Sequence, residues 1–270
     1  IGCYEQKPRE EILPEMARRF GEDPAEIAEC YDQVTALKEQ GTLFSPDVFE
    51  PLAGELKKKT AGVVKALCLH VAHTCNLNCA YCFASQGKYH GERAVMSYEV
   101  GKQALDFLME NSGTRRNLEV DFFGGEPLMN WDVVKQLVEY ARSVEKERGK
   151  NFRFTITTNG ILLDEEKKAY INENMSNVVL SIDGRKEVND RMRPRIDGSG
   201  TYDNIIPKFI DMANSRNQDN YYVRGTFTHH NLDFSEDVAH LADLGFEQIS
   251  VEPVVADPKE DYAITEAGFG

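Results

Sequence analysis

The sequence predicts an α/β fold built on a parallel β-sheet, and three observations carry this prediction. From residue 66 onward, short runs rich in β-branched and aromatic residues alternate with longer runs of helical periodicity. A repetition of strand, helix and strand needs crossover connections, and these give parallel strands. Polar and glycine-rich motifs follow the strands, at the edge where parallel folds bind ligands. The periodicity alone fits a partial barrel and an open, doubly wound sheet equally well.

Residues 1–60 differ from the rest of the chain and predict a small helical module. Helical periodicity with an acidic, solvent-facing side covers residues 10–20 and 24–40. The second helix has a clear start, because Asp23 suits an N-cap and Pro24 suits the first helical position. A stretch that contains glycine and proline ends this helix, and a loop then leads into the α/β part.

The α/β part contains six runs typical of strands and five typical of helices. The strands are predicted at 66–72, 118–123, 152–157, 177–182, 221–228 and 247–252. The helices are predicted at 97–111, 131–148, 164–175, 202–215 and 234–244. Three helix starts have a credible cap, namely Ser97 with Val100 facing inward, Asp164 with Lys167, and Ser235 before Val238.

Composition excludes several classes of protein. The 270-residue chain has a formal net charge of −14, which disfavours a nucleic-acid partner because phosphate binding needs a basic surface. No run approaches the roughly 18 apolar residues of a membrane span, and no signal peptide is evident. Six cysteines without an export signal indicate a reducing cytoplasm. Cys30 and Cys68 are expected to be buried as small hydrophobic residues. We also expect the chain to be a fragment of a longer protein.

The most informative motif is a C-x3-C-x2-C loop that follows the first predicted strand and contains Cys75, Cys79 and Cys82. Three thiolates can hold three corners of a cubane iron–sulfur cluster, which takes four ligands, so one iron stays open for chemistry. A structural zinc site would need a fourth protein ligand to close it. A loop suits cluster ligation because the thiolates must be reachable. The alternatives are a zinc site and a chance group of buried cysteines.

Weaker motifs follow the other predicted strands. Gly124 and Gly125 would let the backbone approach a ligand closely, and Glu126 would accept hydrogen bonds from an ammonium group. An ordinary glycine turn closed by Pro127 is the alternative. The softer candidates at later strand ends are Thr158, Asn159, Ser181, Asp183, Arg193, His229, His230 and Glu252. An ordinary Asn-Gly turn is an equal alternative for Thr158 and Asn159, and a surface arginine is the alternative for Arg193. A surface turn fits the two histidines at least as well as a catalytic role.

Taken together, these motifs resemble the radical S-adenosylmethionine (SAM) superfamily over about residues 62–256. The matching segments are the cysteine loop with an aromatic residue before its third cysteine, Phe122–Leu128, Thr158–Gly160, Ser181–Gly184 and Arg193-Pro194. The pattern is most similar to the peptide-modifying branch, which includes anaerobic sulfatase maturases and the thioether-forming maturases of the six-cysteine (SCIFF) peptide. The resemblance implies an α/β fold with a partial (β/α)6 TIM-like barrel, preceded here by the small N-terminal helical module.

The resemblance also implies two cofactors and the residues that bind them. Cys75, Cys79 and Cys82 would ligate a catalytic [4Fe-4S] cluster whose open iron binds SAM, and an electron from the cluster would cleave SAM to a 5′-deoxyadenosyl radical. Tyr81 and Phe83 would lie against the adenine. The other implied SAM-binding residues are Gly124, Gly125, Glu126 and Pro127 near the ammonium group, Thr158 and Asn159, Ser181 and Asp183 near the ribose or methionine part, and Arg193 at the carboxylate.

A domain organisation and a reaction follow from the same resemblance. Residues 1–60 would belong to a peptide-recognition (RRE-like) domain, 61–256 would form the barrel, and 257–270 would begin a C-terminal extension whose cysteine-rich SPASM region is absent. Auxiliary [4Fe-4S] clusters are expected in the full-length protein but have no ligands here, because no cysteine follows Cys82. The implied function is thioether crosslinking of a ribosomally made precursor peptide, with a reductant such as flavodoxin or ferredoxin and with no nucleic-acid or membrane partner. The alternatives are sulfatase-maturase-like oxidation of Ser or Cys in a protein substrate, and a non-catalytic zinc-binding module.

Overall fold

The computed structural model describes residues 4, 7–45, 49–52, 54–55 and 62–265. The chain divides into two compact units, 1–61 and 62–270, which are described separately. In the described residues no helix has both the length and the apolar character that a bilayer crossing requires.

The first unit contains the two predicted helices, α1 (Arg9–Phe20) and α2 (Pro24–Glu39). The predicted start of α2 is confirmed, since the Asp23 carboxylate accepts a hydrogen bond from the Ala25 N–H at 2.7 Å and Pro24 occupies the first turn. Among the residues of these two helices, Ile12 is the one buried side chain. The predicted burial of Cys30 on α2 is wrong, because this helix has no buried face and the thiol is exposed.

The second unit is built on a seven-stranded sheet in the order β2-β1-β3-β4-β5-β6-β7. The strands are β1 (Ala66–His73), β2 (Ala94–Val95), β3 (Asn117–Gly124), β4 (Asn151–Thr158), β5 (Asn177–Ser181), β6 (Tyr221–Phe227) and β7 (Ile249–Pro253). All neighbouring pairs are parallel except β2 with β1. The parallel strands follow one another in space as in the chain, without the reversal of a doubly wound sheet. This order is that of a partial TIM-like barrel, as predicted.

Six helices accompany the strands of this unit in the described residues. They are α3 (Tyr98–Glu110), α4 (Trp131–Arg148), α5 (Glu165–Asn174), α6 (Lys186–Met192), α7 (Tyr202–Ser215) and α8 (Phe234–Asp243). Alternate strand residues such as Phe122 and Phe154 pack with apolar helix residues such as Leu137 in one continuous core. The helix-facing side of the sheet is therefore apolar, and the opposite parity of strand residues is left for the concave face.

Cys68 shows the consequence of this parity. Its neighbours Leu69 and Val71 lie in the core, so Cys68 and His70 point to the concave face of the sheet. The predicted burial of Cys68 is therefore wrong, and the thiol is exposed. The concave face also carries Asp121 and Arg153, which alternate with core residues on β3 and β4. Polar and charged side chains therefore line the interior of the partial barrel.

The predicted helix caps have mixed outcomes. The Ser97 hydroxyl accepts a hydrogen bond from the Val100 N–H at 3.4 Å, but the Val100 side chain is 54% exposed rather than inward. The Asp164 cap is confirmed by a 2.9 Å bond from the Lys167 N–H. The Ser235 cap is wrong, because α8 begins at Phe234 and Ser235 therefore lies inside its first turn. The Phe234 ring stacks on Phe227 with centroids 4.1 Å apart.

Candidate active site at the carboxyl ends of the strands

The predicted site motifs lie at one edge of the sheet. The cysteine loop follows the end of β1 at His73, and the two glycines follow at the end of β3. Thr158 ends β4 and Ser181 ends β5. Because the strands are parallel, these four segments meet at the carboxyl edge, where α/β folds bind ligands.

The cysteine loop is anchored to the last residue of α6 and to the segment that follows this helix. The Asn78 N–H donates to the Pro194 carbonyl and the Ala80 N–H to the Met192 carbonyl, each at 2.9 Å. A further backbone bridge pairs Leu77 with Arg195. These bonds fix the loop at several points on both sides of Cys79, although the loop itself has no regular secondary structure.

The three loop thiols are free and differ in burial. Cys75 is buried, whereas Cys79 and Cys82 are half-buried. Burial raises the pKa of the Cys75 thiol to about 12, and burial also raises the pKa of Cys79. Without a metal these two thiols are therefore neutral at ordinary pH, and metal coordination would deprotonate them.

Hydrogen-bond donors point at two of these sulfurs. The Leu77 N–H lies 3.4 Å from Cys75 Sγ, and the Gln86 N–H lies 3.2 Å from Cys82 Sγ. The side-chain amide of Asn159 donates to Cys75 Sγ at 3.7 Å. Such donors stabilise a thiolate, which is the form that ligates iron.

The two glycines after β3 are required by the protein's own backbone. A Cβ atom on Gly124 would lie 2.5 Å from the Ala72 carbonyl oxygen, and one on Gly125 would lie 2.1 Å from the Thr74 oxygen. Gly124 also has a φ of 126°, which side-chain-bearing residues avoid. The space that a Cβ would need is filled by the end of β1 and the start of the cysteine loop, and the close approach of a ligand to these glycines stays a prediction.

Glu126 is fully buried and already bonded on both carboxylate oxygens. Its Oε1 accepts from the Leu128 N–H at 3.0 Å and from the Thr158 hydroxyl at 2.8 Å. Its Oε2 accepts from the Asn159 N–H at 2.8 Å. Burial raises the pKa of this carboxyl while the three donors lower it. A carboxylate has about four acceptor positions, so one remains for a ligand donor.

Asn159 and Asn76 connect β4 to the cysteine loop. The Asn159 amide nitrogen donates to Asn76 Oδ1 at 2.8 Å, and its carbonyl oxygen accepts from the Ile161 N–H at 3.1 Å. The Asn76 amide nitrogen is buried and has no hydrogen-bond partner in the described part of the chain. A buried donor without a partner is costly, so this nitrogen is available to an acceptor from a bound group.

Tyr81, Asp183 and Arg193 form a hydrogen-bonded triad around the buried Asp183 carboxylate. The Tyr81 hydroxyl lies 2.8 and 2.7 Å from the two Asp183 oxygens, and it accepts from Arg193 Nη1 at 2.8 Å. Burial raises the pKa of both Tyr81 and Asp183, and the Arg193 charge opposes this on each. The Arg193 Nε atom is buried without a partner among the described residues. The triad therefore joins the cysteine loop to the end of β5, and the Nε–H group of Arg193 remains as a donor for a bound group.

The other predicted residues differ in their exposure to solvent. Phe83 is 73% exposed, Ser181 is half-buried, and Pro127 is buried at the start of a 3-10 turn. His229 and His230 form a 3-10 turn beyond β6, where His230 faces Asp261 at 3.4 Å. Glu252 is exposed and pairs with Arg224 on the neighbouring strand. The sequence singled out these last three positions as candidates at the ends of the fifth and sixth predicted strands.

A ring cluster beside the cysteine loop escaped the sequence analysis. The ring of Tyr89 lies 4.9 Å from that of His70 and 5.0 Å from that of His73, and Phe123 lies 5.7 Å from His70. The Tyr89 hydroxyl is buried and unpartnered in the described chain, and burial raises its pKa to about 12. The alternation of β1 placed His70 on the concave face, but no sequence signal placed Tyr89 over it.

The residues at this edge fit an iron–sulfur cluster and SAM. One loop supplies three thiols with N–H donors at two of the sulfurs. Two buried donors, Asn76 Nδ2 and Arg193 Nε, have no acceptor among the described residues. In the described residues, no three His, Cys, Asp or Glu side chains are grouped closely enough to hold a single ion. A cubane has a separate iron at each corner, so its thiolates need not converge on one point.

Comparison with known proteins gives the family. A model described as the radical SAM superfamily matches residues 69–242. An uncharacterised protein of Methanocaldococcus jannaschii is 31% identical over 73% of this chain and 65% of its own length. The radical SAM cyclopropyl synthase TigE of Paramaledivibacter caminithermalis is 27% identical over 65% of this chain and 39% of its own. A cysteine-type anaerobic sulfatase-maturating enzyme of Clostridium perfringens is 33% identical over 48% and 36%.

Solved structures share the fold. The structure of anSMEcpe with bound AdoMet has a TM-score of 0.68 at 19% identity, over 76% of this chain and 57% of that one. The same protein with AdoMet and the Cp18Cys peptide has a TM-score of 0.67. This chain thus spans less than two thirds of the length of these relatives. Because the family model covers more than half of its residues, the chain belongs to the radical SAM superfamily, whose cofactors are a [4Fe-4S] cluster and SAM.

Proposed function

We propose that this chain is the SAM-cleaving part of an enzyme that modifies a ribosomally made precursor peptide, with a Cys thioether crosslink as the product. The observation that carries the proposal is the loop with Cys75, Cys79 and Cys82 at the carboxyl edge of a partial barrel. When bound, a cluster on this loop supplies the electron that cleaves SAM to a 5′-deoxyadenosyl radical.

The chain's own residues have three tasks in this proposal. The three cysteines hold the cluster, and the N–H groups of Leu77 and Gln86 stabilise two of the thiolates. The remaining acceptor position of Glu126 receives a proton donor of the SAM ammonium group. The two glycines before it, together with Pro127 and Thr158, shape that part of the site.

The other end of SAM is assigned to the region around β5. The unpartnered Nε of Arg193 binds the SAM carboxylate, because a charged donor suits a carboxylate. Ser181 and Asp183 contact the ribose or methionine part, while Tyr81 and the exposed Phe83 lie against the adenine. Tyr81 reaches that position with its hydroxyl already bonded to Arg193 and Asp183.

The peptide substrate rests on two supports. A solved structure of similar fold holds both AdoMet and a peptide, and the concave face here is polar enough to receive one. The sulfatase-maturating relative favours a second candidate, oxidation of Ser or Cys in a protein substrate. We assign leader binding to the module at residues 1–60, and electron delivery to flavodoxin or ferredoxin. Mass spectrometry of a precursor peptide after reaction with the full-length enzyme distinguishes thioether crosslinking from oxidation of Ser or Cys. A crosslinked peptide retains its sulfur but has lost the free thiol.

The decisive experiment is anaerobic reconstitution with iron and sulfide, followed by an absorption spectrum and a deoxyadenosine assay with SAM and dithionite. The wild-type chain is expected to be brown and to produce deoxyadenosine. Cys75→Ala, Cys79→Ala and Cys82→Ala are expected to lose both, whereas Cys68→Ala, outside the loop and exposed, is the matched control and retains both. A colourless wild-type protein that binds zinc, or full deoxyadenosine production by the triple alanine variant, would overturn the proposal.

A further inference from the structure

The amide side chain of Asn159, at the end of β4, lies against the sulfur of Cys75. Its Nδ2 atom is 3.7 Å from Cys75 Sγ, and both residues are buried, with exposed fractions of 6% and 8%. We propose that Asn159 is a positioning residue that donates a hydrogen bond to the Cys75 thiolate and thereby raises the reduction potential of the cluster. The inference rests on the proposed function, since it needs Cys75 to ligate a cluster.

The orientation of this amide is fixed by its other bonds. The oxygen of the Asn159 side chain accepts from the Ile161 N–H at 3.1 Å, so the nitrogen must face the opposite way. One hydrogen of that nitrogen is directed at Asn76 Oδ1, 2.8 Å away, and the second remains for Cys75 Sγ. If the amide were reversed, its NH2 group would face the Ile161 N–H, and two donors would then oppose each other.

The backbone of Asn159 is held as firmly as its side chain. Its N–H donates to the buried Glu126 carboxylate at 2.8 Å. Glu126 in turn is fixed to the cysteine loop, since its own N–H donates to the Thr74 carbonyl at 3.0 Å. The end of β4 is therefore connected to the cysteine loop twice, through Glu126 to Thr74 and through the Asn159 amide to Asn76. These connections keep the amide nitrogen beside the sulfur.

A donor at this place acts on the electron affinity of the cluster. Hydrogen bonds to the sulfurs are one of the means by which proteins set the potential of iron–sulfur clusters, because they stabilise the more negative, reduced state. In the described residues, Asn159 is the only side chain that donates to a loop sulfur, and the other two donors are backbone N–H groups. Substitution of this side chain therefore removes the one side-chain donor at the loop sulfurs while the two backbone donors stay in place.

The test is a redox titration of the reconstituted, anaerobic protein, followed by electron paramagnetic resonance. Asn159→Leu removes the donor at similar volume, and Asn159→Asp replaces it with an anionic oxygen. The matched control is Asn151→Asp, which makes the same charge change at the opposite end of β4, where Asn151 bonds Asn117. Iron and sulfide content is measured for each protein.

We expect both Asn159 variants to have a lower potential, with the reduction equilibrium shifted about tenfold toward the oxidised cluster, which corresponds to about 59 mV for one electron. Asn151→Asp is expected to match the wild type. A wild-type potential in Asn159→Leu overturns the inference. If Asn159→Leu does not take up the cluster, the potential of Asn159→Asp is compared with that of Asn151→Asp instead. Equal potentials in these two variants overturn the inference. A wild-type protein without any [4Fe-4S] cluster would instead overturn the proposed function.

Discussion

Glu126→Ala should destabilise the fold more than it weakens SAM binding. The carboxylate accepts bonds from the Leu128 N–H, the Thr158 hydroxyl and the Asn159 N–H at 3.0, 2.8 and 2.8 Å, and it is fully buried. Each buried donor left without a partner costs about 1–3 kcal/mol, so the three together set an upper range of about 3–9 kcal/mol. Water entering the emptied space satisfies part of this, and we expect a loss of about 3–5 kcal/mol.

This loss exceeds what one ligand contact supplies. A single charge-assisted hydrogen bond to the SAM ammonium contributes about 1.5–3 kcal/mol. Glu126→Gln is expected to fall between wild type and Glu126→Ala, because its oxygen still accepts while its NH2 group faces the Asn159 N–H. The assay is urea denaturation of the cofactor-free chain, with SAM titration of the reconstituted chain alongside it.

Glu119→Ala is the matched control, since Glu119 lies on the same strand but makes a half-exposed ion pair with Lys65 at 3.1 Å. We expect its free energy of unfolding to stay within about 0.5 kcal/mol of wild type. The reasoning is refuted if Glu126→Ala unfolds at the wild-type urea concentration. If its SAM affinity falls at the same time, Glu126 is a ligand contact and has no structural role.

Three further predictions concern other parts of the chain. Tyr81→Phe removes the hydroxyl that joins Arg193 to Asp183, and urea denaturation should show a loss of about 1–3 kcal/mol, whereas an unchanged midpoint would contradict the triad. Burial raises the pKa of Asp121 from 3.8 to about 6, so the stability that this carboxyl contributes is full below pH 3.8 and is lost as the pH rises through 6. Urea denaturation at a series of pH values should show a smaller loss of stability with rising pH in Asp121→Asn than in the wild type, and equal losses would contradict the reasoning. Deleting residues 1–60 from the full-length protein should abolish peptide modification but not uncoupled deoxyadenosine formation, and a parallel fall of both products would refute a docking role.

The sheet could be predicted because its signals are long and repeated. Most of the six parallel strands and of the five helices predicted in the α/β part contain several apolar residues at a regular period, although α5 has Ile171 as its one buried residue. The bounds of all eleven agree with the prediction to within about two residues. The elements that were missed are short. Strand β2 has two residues and helix α6 has seven, so neither completes enough periods to be distinguished from a loop. The strand order then separated the partial barrel from the doubly wound sheet, which periodicity alone had left open.

The positions of the site motifs were predictable, but their contacts with one another were not. Parallel strands place the ends of β1, β3, β4 and β5 at one edge whatever their residues are. Which side chains then meet depends on packing between segments far apart in sequence. Tyr81 and Arg193 are separated by 112 positions, and Glu126 and Asn159 by 33. The sequence therefore indicated residues that contact a cofactor, and it held no signal that the same residues contact each other.

These mutual contacts bear on how the site works. Each strand end that was predicted to bind SAM also holds the cysteine loop: β3 through the Glu126 N–H to Thr74, β4 through Asn159 to Asn76, and β5 through Asp183 to Tyr81. A loop held at three places loses little conformational freedom when a ligand binds, and a site that is ordered in advance binds more tightly for the same contacts. Loss of one connection should therefore weaken cluster uptake even where the lost residue touches neither iron nor SAM. The Glu126 N–H bond to Thr74 belongs to the backbone and survives Glu126→Ala. Asn159→Leu and Tyr81→Phe each remove one side-chain connection, so their separate effects on cluster content measure how much of the binding energy depends on this order.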